Sequence, residues 1–222
     1  VSNGVYQVGG RAVDGVMTNR VTVDRPVTVR SLNGPEVTVI KGYQVPGITN
    51  GVGAIRCVFL TNGAVLSGFT LATGATREWR DDALLSQQSG GGVWCASASA
   101  LVTNCMFVEN SAYDGGGAFN GTLIKCTLLG NSAAYRGGGT YGGTLNNCTL
   151  AGNSASYEGG GAYYATLNNC TLACNSASYE GGGAYYATLN NCTLTGNSAG
   201  EYGGGASSGT LNNCTSSGNS AK

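Results

Sequence analysis

Three groups of residues in this chain could do chemistry. A short charged stretch places the carboxylates of Asp81 and Asp82 next to Arg80. Nine cysteines are spread along the chain, and tyrosines followed by charged residues recur at a fixed spacing. Histidine is absent, which removes the commonest general base and metal ligand. Any catalysis would therefore depend on carboxylates, tyrosines or thiols.

The charged stretch lies in residues 72–89, which interrupt an otherwise regular pattern. Paired carboxylates beside an arginine would suit a polysaccharide lyase or hydrolase, as acid and base or as ligands for calcium. The interpretation that we favour is a surface excursion with solvated charges, in which Trp79 and the Leu84-Leu85 pair pack over the side of the fold. Adjacent aspartates need not point the same way, so we predict no catalytic residue. The alternative catalytic set is Arg80, Asp81 and Asp82.

Most of the cysteines recur at one position of a repeat. Phe69 stands at the same position further upstream, which indicates an inward-facing site. We favour reduced, buried thiols that act as small hydrophobic side chains. Disulfides between neighbours are the alternative, because adjacent coils would bring the Cα atoms to about 4.8 Å, within disulfide range. These six residues are Cys105, Cys126, Cys148, Cys170, Cys192 and Cys214.

The remaining three cysteines differ from this set. Cys57 and Cys95 are expected to form a second column pair. Cys174 replaces a glycine that the other units carry in a turn. As the odd thiol at an exposed position, it is a candidate for an intermolecular bond. No Cys-x-x-Cys motif occurs and histidine is missing, so no metal site is predicted.

The tyrosines and charged residues form the third group. Tyr113, Tyr135, Tyr157 and Tyr179 form one column, and Trp94, Phe119, Tyr141, Tyr163 and Tyr185 form another. Stacked aromatics on an outer face could hold sugar rings, or the rings could simply cover turn backbone. Asp114, Arg136, Glu158 and Glu180 follow the first column. Glu158 next to Glu180 is a like-charge pair that could recruit a cation.

These residues are positioned by a repeat. A Gly-Gly-Gly unit recurs every 22 residues, at Gly115, Gly137, Gly159, Gly181 and Gly203. Helical periodicity is missing, so each unit is predicted to be one coil with about three short strands and three turns. We therefore predict an all-β chain, a right-handed single-stranded parallel β-helix of about ten coils of about 22 residues. It forms one domain, 1–222, with divergent N-terminal coils (1–71), an inserted loop (72–89) and regular repeats (90–222).

The repeat predicts which side chains stack. Two apolar columns are expected in the core: Leu123, Leu145, Leu167, Leu189 and Leu211, and Phe107, Leu128, Leu150, Leu172 and Leu194, ending at Ser216. Two asparagine columns are expected at turns, with amides that bond along the stack and backbone that tolerates the left-handed region. They are Asn110, Asn131, Asn153, Asn175, Asn197 and Asn219, and Asn147, Asn169, Asn191 and Asn213. Asn147-Cys148-Thr149 and its copies also match the glycosylation acceptor pattern, which a stacked column could not use at every coil.

Two strings resemble known β-helix families. Residues 21–42, in which valine alternates with polar residues, resemble the opening coils of the pectin-lyase-like right-handed β-helix superfamily. The GGGA strings and Phe107-Val108-Glu109-Asn110 resemble the GGA and FxxN motifs of polymorphic outer-membrane-protein repeats over about residues 90–222, with leucine replacing the phenylalanine in most units. The resemblance implies a secreted or bacterial-surface β-helix with adhesive or structural use, and it supplies no catalytic residue.

Composition supports this view of function. Acidic and basic residues number 11 each, so a nucleic-acid partner is not predicted, and neither is membrane insertion, because no apolar run is long enough. Neither end shows a shield for its strand edges. We expect either a piece of a longer protein or head-to-tail stacking of copies into filaments. The predicted function is a non-enzymatic extracellular structural or adhesin-type element, with itself or a host or matrix surface as partner. The alternative is a carbohydrate-binding or polysaccharide-degrading module.

Overall fold

A computed structural model describes residues 1–13, 15–79 and 84–222 of the chain. It consists of short strands stacked into four parallel sheets, apart from one antiparallel pair between Arg11–Ala12 and Thr18–Val23. The single described helix is Leu85–Gln88. Each regular coil contributes one strand to each sheet, so the chain is a parallel β-helix solenoid. The prediction of three strands per coil is wrong: the regular coils have four.

The strands of a coil are named by the sheets they join. Sheet 1 contains Thr28–Arg30, Val65–Ser67, Leu101–Thr103, Thr122–Ile124, Thr144–Asn146, Thr166–Asn168, Thr188–Asn190 and Thr210–Asn212. Sheet 2 contains Gly4–Tyr6, Thr38–Lys41, Thr70–Ala72, Met106–Val108, Thr127–Leu129, Thr149–Ala151, Thr171–Ala173, Thr193–Thr195 and Thr215–Ser217.

The other two sheets complete each coil. Sheet 3 contains Ser111–Asp114, Ser132–Arg136, Ser154–Ala155, Ser176–Ala177, Ser198–Ala199 and Ser220–Ala221. Sheet 4 contains Arg11–Ala12, Thr18–Val23, Ile55–Leu60, Val93–Cys95, Ala118–Phe119, Thr140–Tyr141, Ala162–Tyr163, Ala184–Tyr185 and Ala206–Ser207. The strand that each coil contributes to sheet 3 is the one that the sequence did not predict. Its inward residue in the regular coils is only an alanine, such as Ala155, which fits a tight corner of the coil.

Coil length explains the number of coils. Thr28 pairs with Val65 and Val65 with Leu101, so these two coils are 37 and 36 residues long. The next step, from Leu101 to Thr122, takes 21 residues, and later coils take 22. The largest sheets therefore hold nine strands among the described residues, against about ten coils expected from a uniform repeat. The sequence did not reveal the excursion between Lys41 and Ile55, which folds back through the bridges Tyr43–Ile55 and Val45–Thr49.

The two predicted apolar columns form the core. Leu145 pairs with Leu123 and Leu167 in sheet 1, and Leu150 pairs with Leu128 and Leu172 in sheet 2. These leucines are fully buried, and each contributes roughly 1.5–3 kcal/mol to stability. The alternation arises because neighbouring strand residues face opposite sides of a sheet. Because the units repeat, every coil buries its apolar side chains against the same positions in the coils above and below.

The first asparagine column forms the predicted ladder. The Nδ2 group of Asn153 donates to Oδ1 of Asn175 at 2.9 Å and to the carbonyl of Leu128 at 3.0 Å. Its Oδ1 accepts from the backbone and the side chain of Asn131 at 3.0 and 2.9 Å. The ladder satisfies polar groups that would be costly to bury unpaired. It thereby fixes the corner between sheets 2 and 3.

The second asparagine column behaves differently from the prediction. Asn147 is exposed and its φ of 54° lies in the left-handed region, as expected for a turn asparagine. The outer amide ladder, however, is made by the preceding residue: Asn168 donates to Asn146 at 2.9 Å and Asn190 donates to Asn168 at 2.8 Å. Two adjacent asparagines in each unit thus have separate roles, one in the turn and one in the ladder.

Candidate functional site: the aromatic face

The Gly-Gly-Gly run of each unit builds the surface with the most chemical character. Gly137 has a φ of 67°, which favours glycine. A Cβ atom on Gly138 would overlap the carbonyl oxygen of Ser154 in the next coil. Only glycine therefore lets the chain between sheets 3 and 4 approach the coil below so closely. The aromatic residues on either side of the run, such as Tyr135 and Tyr141, are consequently carried on one face of the solenoid.

Two ring columns and the residues between them form this aromatic face. The outer column is Tyr113, Tyr135, Tyr157 and Tyr179, with centroids 5.3, 5.1 and 5.0 Å apart and interplanar angles of 25°, 12° and 2°. The inner column is Phe59, Trp94, Phe119, Tyr141, Tyr163 and Tyr185, with neighbouring centroids 4.9–6.3 Å apart. Both predicted columns are thus present, and Phe59 extends the inner one upward.

The stacking determines what the columns can bind. Rings that lie nearly parallel about one coil apart cover each other's faces. The faces of Tyr135 and Tyr157 are therefore not free for a sugar ring to stack on. A ligand can still reach the ring edges and hydroxyl groups, and a guanidinium group can lie against a ring, as that of Arg136 does 4.2 Å from the Tyr135 centroid. Two further tyrosines, Tyr164 and Tyr186, stack 5.1 Å apart beside the inner column and are about half exposed. They widen the row of hydroxyl groups along the lower coils.

A charged row runs between the columns. Arg136 donates from Nε to Oε2 of Glu158 at 3.1 Å and from Nη2 to the hydroxyl of Tyr135 at 2.9 Å. Its guanidinium carbon lies 4.2 Å from the Tyr135 ring centroid and 5.0 Å from that of Tyr163. Arg136, which lies between Asp114 and Glu158 in the row, is thus paired with Glu158 in the next coil. Glu158 is buried, so this pair is more shielded from water than a surface ion pair.

The carboxylates of the row have different environments. Asp114 is only 7% exposed, and its Oδ1 atom is buried without a hydrogen-bond partner. Burial raises the pKa of Asp114 to about 6, although Arg136 opposes the shift. Glu180 follows Glu158 in the row, and its Oε2 atom accepts a 2.6 Å hydrogen bond from the Ser207 hydroxyl. The predicted like-charge neighbours Glu158 and Glu180 are therefore adjacent.

The head of the outer column carries a pocket. Trp79 lies 6.2 Å from Tyr113 at an angle of 32°, and its side chain is 52% exposed. Together with Ile48, Asn50 and Glu78 these rings line an open pocket of about 390 Å³. Trp79 was expected to pack over the side of the fold, and the residue that it contacts there is Tyr113.

The rest of the inserted loop only partly follows the prediction. Leu84 and Leu85, expected to pack over the side of the fold, are 56% and 54% exposed. The alternative catalytic residues Arg80, Asp81 and Asp82 lie outside the described residues, so that alternative and its calcium stay predictions. In the described part of the chain, no group of three or more acidic, cysteine or histidine side chains is arranged to hold a metal ion.

The six-cysteine column is present on the opposite side of the coil from the aromatic face. All nine cysteines are free thiols. The Sγ of Cys148 accepts from the backbone N–H of Cys126 at 3.4 Å and lies 3.6 Å from the carbonyl of Leu123, to which its thiol donates. The hydrogen bond with the Cys126 thiol, with burial adding to it, raises the pKa of Cys148 to about 12, although the hydrogen bond with the Cys170 thiol opposes the shift. Such thiols are poor nucleophiles.

The other cysteine predictions have separate outcomes. The expected column pair of Cys57 and Cys95 is wrong, because Cys95 pairs with Leu60 and not with Cys57. Burial raises the pKa of both thiols to about 12. Cys174 is exposed, with a φ of 54° at the turn position where other units have glycine. Its use in an intermolecular bond stays a prediction.

Sequence reasoning missed one buried residue. Arg56 is 1% exposed and donates to the carbonyls of Ser86, Ser89 and Gly90 and to Oδ1 of Asn19. It holds the end of the inserted loop against sheet 4. The signal was available: Arg56 interrupts an apolar run from Ile55 to Leu60, where a charged side chain needs buried partners.

Together these features define a parallel β-helix solenoid with an internal asparagine ladder and an aromatic face. No protein-family model matches the chain, and neither a curated protein nor a solved structure matches it. None of the described helices is long and apolar enough to span a bilayer.

Proposed function

We propose that the chain is a non-enzymatic, extracellular β-helix that adheres to a partner through its aromatic face. The observation that carries the proposal is the continuity of the face: one outer tyrosine per coil over four coils, with a charged row beside it. Such a surface offers the same contact repeatedly. Weak contacts then add up by avidity when the partner is also repetitive. The resemblance to pectin-lyase-like and polymorphic outer-membrane-protein β-helices supports the extracellular setting.

An adhesion measurement tests the proposal. The protein is coupled to beads, and retention is measured under flow on layers of a basic protein, a neutral glucan and an acidic polysaccharide. The triple variant Tyr113→Phe, Tyr157→Phe and Tyr179→Phe keeps the stacked rings and removes their hydroxyl groups. We expect wild-type beads to be retained on at least one layer and the variant beads to be released. Thr149→Ser, on sheet 2, is the matched control. Equal retention of all three proteins would refute adhesion through the face.

Head-to-tail self-association is the second part of the proposed structural role. In this 222-residue chain the columns end at Leu211, which is 44% exposed, and at Ser216. A second copy that stacked there would continue both columns. Negative-stain electron microscopy with and without reductant checks this prediction. Filaments that reductant disperses would implicate the exposed Cys174, and uniform monomers in both conditions would contradict self-stacking.

Carbohydrate binding is the second candidate function, and the Trp79 pocket favours it. Trp79 is half exposed, so it offers aromatic surface that the stacked columns do not, and Asn50 and Glu78 supply polar groups. Titration with neutral and acidic oligosaccharides, followed by tryptophan fluorescence, tests this function. Trp94 is packed between Phe59 and Phe119, so it serves as an internal reference. A response that persists in Trp79→Phe would rule out the pocket. Depolymerisation lost in Asp81→Ala/Asp82→Ala would instead support an enzyme.

A further inference from the structure

Arg136 shows what the aromatic face can hold. Its guanidinium carbon lies 4.2, 5.0 and 5.9 Å from the ring centroids of Tyr135, Tyr163 and Tyr157. Its Nε atom is 3.1 Å from the carboxylate of Glu158. Three tyrosine rings and one carboxylate thus form a niche around a guanidinium group. Cation–π attraction and a charge-assisted hydrogen bond both favour this arrangement.

The same set of side chains recurs one coil further down. Tyr157, Tyr179, Tyr185 and Glu180 take the places of Tyr135, Tyr157, Tyr163 and Glu158. The residue in the place of Arg136 is Glu158, whose shorter side chain already pairs with Arg136 above it. This lower niche therefore repeats the rings and the carboxylate without a cation from its own coil. Tyr179 and Glu180 are both partly exposed, so a ligand can reach them from solvent.

The charged row also lacks positive charge. Asp114, Glu158 and Glu180 share Arg136 as the one cationic side chain of the row. Asp114 pairs in register with Arg136, yet its Oδ1 atom, buried in this row, receives no hydrogen bond. A carboxylate that is 93% buried and has one oxygen without a hydrogen-bond donor indicates a shortage of donors in this row. Below Tyr179 the chain adds a further acid, Glu201, at the lower end of the outer column.

We propose that the lower niche, formed by Tyr157, Tyr179, Tyr185 and Glu180, binds the guanidinium group of an arginine side chain from a partner protein. The partner's arginine repeats the contacts that Arg136 makes in the niche above. The proposal rests on the proposed adhesive function and specifies its partner as a polypeptide that displays arginines. Planar guanidinium groups suit a site of rings and one carboxylate better than a compact ammonium group does.

Peptide binding to the full 222-residue protein tests the niche. A capped tetra-arginine peptide is titrated by calorimetry at low salt, with capped tetra-lysine as the comparison. We expect Glu180→Gln to weaken tetra-arginine binding about tenfold, which corresponds to about 1.4 kcal/mol. Glu109→Gln removes an exposed carboxylate on the turn after sheet 2 and is expected to bind like wild type. Equal affinity for the two peptides, or equal weakening by both variants, would reduce the effect to net charge and overturn the proposal.

A second measurement keeps the test independent of peptide conformation. Arg136→Ala empties the upper niche and leaves Glu158 buried without its cation. Methylguanidinium is expected to raise the thermal midpoint of this variant more than methylammonium does at equal ionic strength. No difference between the two ions would show that these niches do not select guanidinium. Bead retention that persists while tetra-arginine fails to bind would reject the niche and leave adhesion through the tyrosine hydroxyls standing.

Discussion

The buried carboxylate of Asp114 leads to a sharp prediction about stability and pH. Its pKa is raised from 3.8 to about 6 in the folded state, mainly by burial. A raised carboxyl pKa means that the folded protein binds the proton more tightly than the unfolded chain does. The penalty for ionisation is therefore absent below about pH 4, grows between pH 4 and 6, and is complete at pH 7. The shift corresponds to about 3 kcal/mol.

The variant Asp114→Asn removes this penalty. We expect its free energy of unfolding to exceed that of wild type by about 2–3 kcal/mol at pH 7.5 and to equal it near pH 4. The net shift already includes the opposing effect of the Arg136 charge. For a chain of this length the midpoint would rise by about 2–4 °C per kcal/mol.

Urea unfolding followed by circular dichroism at pH 4.0 and pH 7.5 measures this difference. Glu36→Gln, an exposed carboxylate in the N-terminal coils, is the control and should show no such pH dependence. The reasoning fails if Asp114→Asn is less stable than wild type at pH 7.5. It also fails if the two proteins differ by the same amount at both pH values, because ionisation would then not be the cause.

Three other substitutions or measurements follow from the fold. Asn153→Ala breaks four ladder hydrogen bonds and should lower the free energy of unfolding by about 3–5 kcal/mol. Asn147→Ala, in the exposed turn, should lower it by only about 1 kcal/mol. Urea unfolding of both variants measures the difference, and equal losses would contradict the role of the ladder. Gly138→Ala places a methyl group on the backbone carbonyl oxygens of Ser154 and Gly160 and should destabilise the fold by about 3 kcal/mol. The same change at the exposed Gly152 meets no atom, so its cost of about 1 kcal/mol arises only from the positive φ of that residue. Thermal melts in which Gly152→Ala is the more destabilised variant would refute the packing argument. Thiol titration of unreduced, denatured protein should count nine thiols, and a lower number would show that the cysteines pair.

The repeat made most of the fold predictable. A constant shift of 22 residues places Leu145 on Leu167 and Asn153 on Asn175, and no other information is needed to align the regular coils. The same arithmetic fails where coils differ in length. The coil that separates Cys57 from Cys95 contains the inserted loop, and no repeated string marks its register. The expected pairing of these thiols was therefore wrong by three residues.

The candidate site was predictable in position but not in detail. Spacing alone put Tyr157 on Tyr179, yet the orientation of the rings decides whether a ligand meets faces or edges. Backbone conformation separates Asn146 from Asn147, since only the second lies in the left-handed region. Arg136 contacts Tyr163, which belongs to the other column and to the next coil, 27 residues further along the sequence. Such contacts depend on how the Gly-Gly-Gly run folds, which the spacing does not show.

The near identity of residues 159–180 and 181–202 has an evolutionary consequence. Unequal recombination between two such copies adds or deletes a whole coil, and every hydrogen bond of the ladder closes again one step further along. The product keeps the core and the corners, and only its length changes, by about 4.8 Å per coil. The number of binding positions on the face can then change by inheritance. Each duplication adds a tyrosine, a carboxylate and another niche, and each deletion removes such a set, while the fold stays the same.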